Sequence, residues 1–341
     1  MDIERPDLSQ LAPAVRAYIE HLEAELSHLQ GPDARAEGTV ELEPSEPPTT
    51  LNVVTLSAAG VAKRTPRHLY DRQRRGGMGI FDLETPRDDP PAILAIADES
   101  QTLVIVTTLA RAFRIPVSAL LESPVRGRGR SITADLPLVP DERLALAFAD
   151  QGRGYIALAS MSGYVRCLRH HYIGENLRPG TNLYSLRDYG PPASMCWTAG
   201  DDDLLLVTRQ GRAIRFGEKS VPLQGCLGIR LDPADAVVAV TAVKESSNVF
   251  LLNADGKGAL RLMSGFAANK SPGGGGKVAM KAEAVIGAAT VEEDDDLFVL
   301  SRLCKIIRFR VAEVPPKEDA VQGVNCMSLR ADETIAVVRS G

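Results

Sequence analysis

Long apolar runs are missing from this chain. No stretch of its 341 residues approaches 18 consecutive apolar positions, which argues against a membrane-spanning helix. The first residues, Met1-Asp2-Ile3-Glu4-Arg5-Pro6, are acidic and lack the apolar core of a secretory signal, so a cytoplasmic protein without a membrane partner is expected. Cysteine is scarce. Cys167, Cys196, Cys226, Cys304 and Cys326 are odd in number, widely spaced and free of any C-x-x-C pair. Neither a disulfide framework nor a zinc site is expected from them, and each reads as a small buried apolar residue. No Gly-x-Ser-x-Gly elbow, Walker loop or dinucleotide fingerprint occurs, so no catalytic residue and no cofactor is assigned. The adjacent His170 and His171 would point to opposite faces of a strand and do not suggest a joint metal site. Asp201-Asp202-Asp203 and Asp294-Asp295-Asp296 lack calcium-loop spacing and read as solvated turns, and the single tryptophan, Trp197, reads as core.

Charge is unevenly placed. The net charge is -5, yet residues 1–49 hold three arginines against eleven acidic residues, a balance of −8, leaving +3 for residues 50–341. A polyanion would meet the body of the chain through that body's own charge. Within the acidic segment, Val15, Tyr18, Ile19, Leu22, Leu26 and Leu29 recur at helical spacing and predict a helix over about 13–30, in an arm of residues 1–30. The helix either packs on its own body or forms a short coiled coil that makes a homodimer. Residues 31–49, rich in Pro, Gly and acid, read as a flexible linker.

From residue 50 the chain repeats every 45 to 50 residues. An apolar strand, a turn and a short basic strand recur, as in Leu103-Val104-Ile105-Val106-Thr107 before Ala110-Arg111-Ala112-Phe113-Arg114, and in Leu204-Leu205-Leu206-Val207-Thr208 before Gly211-Arg212-Ala213-Ile214-Arg215. A further apolar strand closes each unit, such as Ala236-Val237-Val238-Ala239-Val240. Four short strands per unit, six times over, predict an all-β, six-bladed propeller over residues 50–341. A shared arginine motif in units two, four and six suggests a blade pair as the unit of duplication.

Two basic features stand out. Arg64, Arg114, Arg166, Arg215, Arg261 and Arg308 recur at similar positions, with Lys63, Arg111, Arg212, Lys257 and Lys305 beside them. Equivalent strand positions around a disc would form a band matched to a phosphate backbone. The second feature is Gln73-Arg74-Arg75-Gly76-Gly77-Met78-Gly79, whose arginines can contact phosphate and whose glycines let backbone N–H groups approach an anion. Arg126-Gly127-Arg128-Gly129-Arg130 is another compact basic loop. The stretch from Lys270 through Gly273–Gly276 to Lys277 reads equally as a weaker cognate or as a disordered loop.

With those residues in hand, residues 50–341 resemble the C-terminal domain of bacterial DNA gyrase A and of its topoisomerase IV relative. Gly60-Val61-Ala62-Lys63-Arg64-Thr65, the 73–79 heptapeptide, Leu223 through Ile229 and Val321-Gln322-Gly323-Val324 carry the likeness. The heptapeptide is similar to that family's signature box, with Met78 where lysine is usual. The resemblance implies a β-pinwheel, in which strands are exchanged between blades, and DNA wrapped on a basic rim with Gln73 through Gly79 needed for wrapping. Only 49 residues precede the repeats, so neither strand cleavage nor ATP use is expected. The expected function is non-catalytic binding and bending of double-stranded DNA in the cytoplasm, associated with the nucleoid. The second reading is a protein-interaction propeller serving gyrase or topoisomerase IV.

Overall fold

A strand that is apolar at consecutive rather than alternating positions must be covered on both faces. The repeated strands Leu51–Ser57, Thr102–Thr107, Tyr155–Ser160, Asp203–Thr208, Asn248–Asn253 and Asp296–Ser301 have this pattern. In the computed structural model, which describes residues 46–341, each is the second strand of one blade. Successive residues then serve different neighbours. Leu103 and Ile105 join Val54 and Leu56 in one core cluster, while Val104 and Val106 join Ile156 and Leu158 in the next. The same division recurs around the ring, so six clusters fill the six interfaces between blades. The all-β six-bladed propeller expected from the repeat is the fold observed.

The innermost strands, Pro91–Asp98, Leu144–Ala149, Pro192–Thr198, Val237–Val243, Val285–Val291 and Thr334–Ser340, line a central channel of about 840 Å³. The third strands are Val61–Pro66, Arg111–Pro116, Tyr164–Arg169, Arg212–Gly217, Lys257–Leu262 and Lys305–Arg310. Each ends in a one-turn 3-10 helix.

The outermost strand of every blade is donated by the following unit. Arg130–Ser131 from unit two pairs with the third strand of unit one, and Thr181–Asn182 from unit three with that of unit two. Cys226–Leu227, Lys277–Val278 and Val324–Asn325 continue the exchange. Ile80–Phe81 from unit one pairs with Lys305–Arg310 and so closes the ring on blade six. A glycine stands immediately before each donated strand: Gly79, Gly129, Gly180, Gly225, Gly276 and Gly323. A Cβ on Gly79 would lie 2.7 Å from the Ile306 carbonyl oxygen, and on Gly276 2.6 Å from that of Ala213. The close approach of donated strand to acceptor blade therefore requires glycine there.

The expected N-terminal helix and the linker up to residue 45 lie outside the described residues. Residues 46–49, assigned to the linker from sequence, are seated on the ring instead. The Glu46 carboxylate lies 2.9 Å from Arg67 Nη2 and 2.8 Å from Arg308 Nη2, and the Thr49 N–H donates to His68 Nδ1 at 3.2 Å. Burial pushes the Glu46 carboxyl up, but the hydrogen bonds from Arg308 and Arg67 outweigh it and hold the group below its ordinary value.

Candidate nucleic-acid interface

The recurrent arginines divide into two sets. Arg64, Arg114, Arg215 and Arg308 share one register position, opposite Val54, Val104, Leu205 and Phe298 on the second strand. Arg166 and Arg261 are each displaced by one residue, in opposite directions, and Cys167 and Leu260 take the equivalent places. The six do not form one column. Unit one carries the same arginine as units two, four and six, so the shared geometry does not follow a blade pair.

The four in register point into the molecule. Their side chains are 10%, 17%, 4% and 0% exposed for Arg64, Arg114, Arg215 and Arg308, which leaves little or no guanidinium for a ligand. Each instead grips the end of the next unit's 3-10 turn. Arg64 Nε donates to Leu120 O at 3.3 Å, Arg114 Nη1 to Ile173 O at 2.6 Å, Arg215 Nη1 to Phe266 O at 3.1 Å and Arg308 Nη1 to Tyr70 O at 3.0 Å. Those four carbonyls are at equivalent positions, where the chain leaves one blade to donate a strand to the preceding one. A carboxylate neutralises each cation: Glu99 at 3.0 Å, Asp150 at 2.6 Å, Asp203 at 2.8 Å and Asp296 at 2.9 Å. Asp203 and Asp296, read from sequence as solvated turn residues, are thus counter-ions inside the fold. Burial raises the Asp150 carboxyl, yet the Gly152 N–H and Arg114 together hold it below its ordinary value.

Lys63 is also structural. Its ammonium, fully buried, lies 2.7 Å from Asp82 Oδ1 and 2.8 Å from Pro124 O. Asp82 accepts further hydrogen bonds from Tyr70 OH at 2.6 Å and Thr55 Oγ1 at 2.7 Å. Burial pulls the Lys63 pKa down, with Asp82 opposing the shift. Of the companion basic residues, Arg111 pairs with Glu142 at 2.5 Å, Arg212 donates to Gly275 O and Gly276 O at 3.0 Å each, and Arg166 donates to Leu183 O at 2.6 Å. Arg261 is buried with its Nε and Nη1 lacking hydrogen-bond partners, its cation 5.6 Å from the Phe266 ring centre. Lys257 is exposed.

The 73–79 loop straddles the closing seam of the ring. Gln73 N–H donates to Arg308 O and Gly76 N–H to Cys326 O, both at 2.8 Å, while Ser328 N–H donates to Gly77 O at 2.9 Å. Gln73 Oε1 accepts from the Gly79 N–H at 3.3 Å. The two arginines differ. Arg75 is tied down, its N–H to Glu313 Oε2 at 2.8 Å and its Nε to Glu313 O at 2.7 Å. Arg74 is exposed, and among the described residues its side chain makes no hydrogen bond or ion pair, its carbonyl accepting from the Gly77 N–H at 3.1 Å. Met78 is 52% exposed.

The five other segments leading into donated strands are structural equivalents of this loop. The Lys270–Lys277 segment is one of them and is ordered against blade four, with Asn269 N–H donating to Arg215 O at 2.6 Å and Arg230 N–H to Gly274 O at 2.9 Å. Eight exposed cations lie in these loops: Arg74, then Arg126, Arg128 and Arg130, then Arg178, then Lys270 and Lys277, then Lys317. The unit-four loop has none and instead presents Leu223, 84% exposed. Sequence reasoning missed Arg178 and Lys317, because it looked for the basic repeat on the third strands. Aligning the six glycines before the donated strands would have found both.

Other expectations are revised. His170 and His171 lie on a 3-10 turn, not a strand; His170 Nε2 is 2.8 Å from Asp150 Oδ1, and His171 stacks on Tyr172. Trp197 is half-buried on the channel wall, its indole N–H donating to Ala149 O at 2.9 Å. All five cysteines are free; Cys326 alone is fully buried, and the other four are half-buried. Burial pushes the Cys167 and Cys326 thiols up to about 12. Among the described residues no helix is long and apolar enough to cross a membrane.

Fold and loops together define a strand-exchanged β-pinwheel with eight exposed cations on the donated loops. The family described as DNA gyrase C-terminal domain, beta-propeller, matches at residues 51–89 and 202–244. The DNA gyrase A protein of Mycobacterium bovis (strain BCG / Pasteur 1173P2) is 26% identical over 299 residues, covering 84% of this chain and 36% of that protein. A solved DNA gyrase A C-terminal domain superposes with a TM-score of 0.75 at 21% identity, covering 85% of this chain and 99% of that one. A solved C-terminal domain of DNA topoisomerase IV gives 0.59 at 18% identity, covering 85% and 93%. The chain thus carries a β-pinwheel of the DNA gyrase A C-terminal type, as the resemblance implied. It spans about a third of the length of the M. bovis relative.

Proposed function

We propose that the pinwheel binds double-stranded DNA along the donated loops and bends or wraps it, without catalysing a reaction itself. The observation that carries this reading is the placement of eight exposed cations on five of six equivalent loops, while the four arginines in register are spent on internal clamps. Lysine and arginine spaced around a rim match the regular charge of a duplex backbone and demand little base readout. Similarity to gyrase and topoisomerase IV C-terminal domains supports the same reading. We place the protein in the cytoplasm with the nucleoid, its protein partners being the subunits of gyrase or topoisomerase IV. A homodimer through residues 1–30 is a further proposal, read out by light scattering.

A topological assay tests the reading. Relaxed circular DNA is incubated with the protein, treated with a nicking-closing topoisomerase and deproteinised; a shift in linking number that grows with protein concentration is expected. Binding without any shift leaves straight contact alone. The second reading, a protein-interaction propeller, draws on one observation: the exposed Leu223 on a cation-free loop suits a protein contact in that sector.

A further inference from the structure

An exposed phenylalanine stands at the ring-closing seam, and it is held there. Phe81 is 48% exposed, and Met78 and Ile80 beside it are 52% and 36% exposed. Two cations approach the ring: Arg126 Cζ at 5.5 Å and Lys305 Nζ at 5.3 Å from its centre. Arg126 comes from unit two and Lys305 from unit six, so three units meet at this one side chain. The backbone under it is fixed on both sides. Phe81 pairs with Lys305, and the next residue, Asp82, donates its N–H to Cys304 O at 2.8 Å and accepts from the Gly127 N–H at 3.1 Å. The Asp82 side chain is buried against Lys63, Tyr70 and Thr55. Phe81 therefore cannot fold inward, because the residue after it is nailed to the core.

We propose that Phe81 is an apolar wedge that presses into the minor groove of bound duplex DNA and opens a base step, placing a kink at the ring seam. The proposal rests on the DNA-binding reading and adds where and how the DNA is bent. Charge selects this occupant. Arg126 and Lys305 both lie within 5.5 Å of the ring centre, where they can meet the phosphates that border a groove, and the exposed carboxylate nearby in sequence, Glu84, is itself 3.3 Å from Arg128. An apolar wedge accompanied by basic residues is how minor-groove proteins unstack a step, gaining bend in return. Flexible pyrimidine–purine steps yield most easily, so a TA step is preferred at the seam over an A-tract.

The test uses the full chain and duplexes bearing a fluorescent purine analogue beside a central TA step, with an A-tract duplex as control. The wild-type protein is expected to raise analogue fluorescence and to favour the TA duplex. Phe81→Ala should abolish the rise and weaken binding to the TA duplex by about tenfold, the scale of an aromatic–base contact. Its salt dependence should be unchanged, since no phosphate contact is lost. Phe81→Leu, which keeps an apolar wedge, should retain part of the signal, and a thermal melt of each variant verifies the fold. Wild-type binding without a fluorescence rise, or a Phe81→Ala protein matching wild type, overturns the wedge and leaves DNA binding standing. Failure of the wild-type protein to bind any duplex at low salt overturns both.

Discussion

Replacing Arg308 by methionine separates a clamp from a ligand contact. In the structure this guanidinium is wholly buried, 2.9 Å from Asp296 Oδ2 through Nε and 2.8 Å from Glu46 through Nη2, with Nη1 on the Tyr70 and Arg67 carbonyls at 3.0 and 3.2 Å. Methionine fills much of the same volume but takes from Asp296, 2% exposed, one of its two cations, the other being Arg72 Nε at 2.9 Å, and takes from Glu46 one of its two arginines. Removing one partner of a buried ion pair costs about 3–5 kcal/mol. At about 2 °C per kcal/mol for a domain of this size, the melting temperature should fall by roughly 6–10 °C. The urea midpoint should fall with an unchanged slope, and Asp296→Leu in the same chain should recover part of the loss, because the buried carboxylate is then gone while Arg72, which also contacts it, is partly exposed. The DNA affinity of the folded variant should keep the wild-type salt dependence. Unchanged stability together with a salt slope reduced by about one unit would refute the clamp and make Arg308 a phosphate contact.

The two box arginines should behave differently: Arg74→Ala should lower the salt slope by about one unit without changing stability. Arg75→Ala should instead destabilise the domain by about 1–3 kcal/mol by leaving the Glu313 and Asn325 carbonyls without the guanidinium, measured by urea denaturation. Met78→Lys adds one exposed cation beside Arg74 and should tighten binding at low salt while steepening the salt dependence, read by gel shift. Acid should weaken the fold through Glu46 and Asp150. Both are held below their ordinary values of 4.5 and 3.8, so their stabilisation is present above those values and is lost as pH falls through the lowered ones. Glu46→Gln should therefore reduce the loss of melting temperature between pH 5 and the acid limit.

The period of the repeat was legible because each second strand serves two cores at once, and unbroken runs such as Leu204 to Val207 cannot be half-exposed strands. The clamp was not legible. An arginine on a solvent face and one gripping the neighbouring unit's turn look alike in one dimension, and only pairing shows that Arg308 ends on Tyr70, 238 residues away. Likewise Asp296 looked like part of an acidic turn because its partner is defined by strand register. Placing Arg178 and Lys277 in equivalent loops takes knowing which strand is exchanged between blades. The box was recognisable as a unit, but the division of labour between Arg74 and Arg75 depends on Glu313, far off in sequence.

The most direct measurement of the central claim is the salt dependence of duplex binding by fluorescence anisotropy. Eight cations are exposed on the donated loops, and engaging about six phosphates at once gives a slope of log K against log salt near −5. Charge reversal of Arg126, Arg128 and Arg130 together should remove about three units of that slope. A flat dependence, or no binding at low salt, would contradict the claim that the donated loops form a DNA-binding rim.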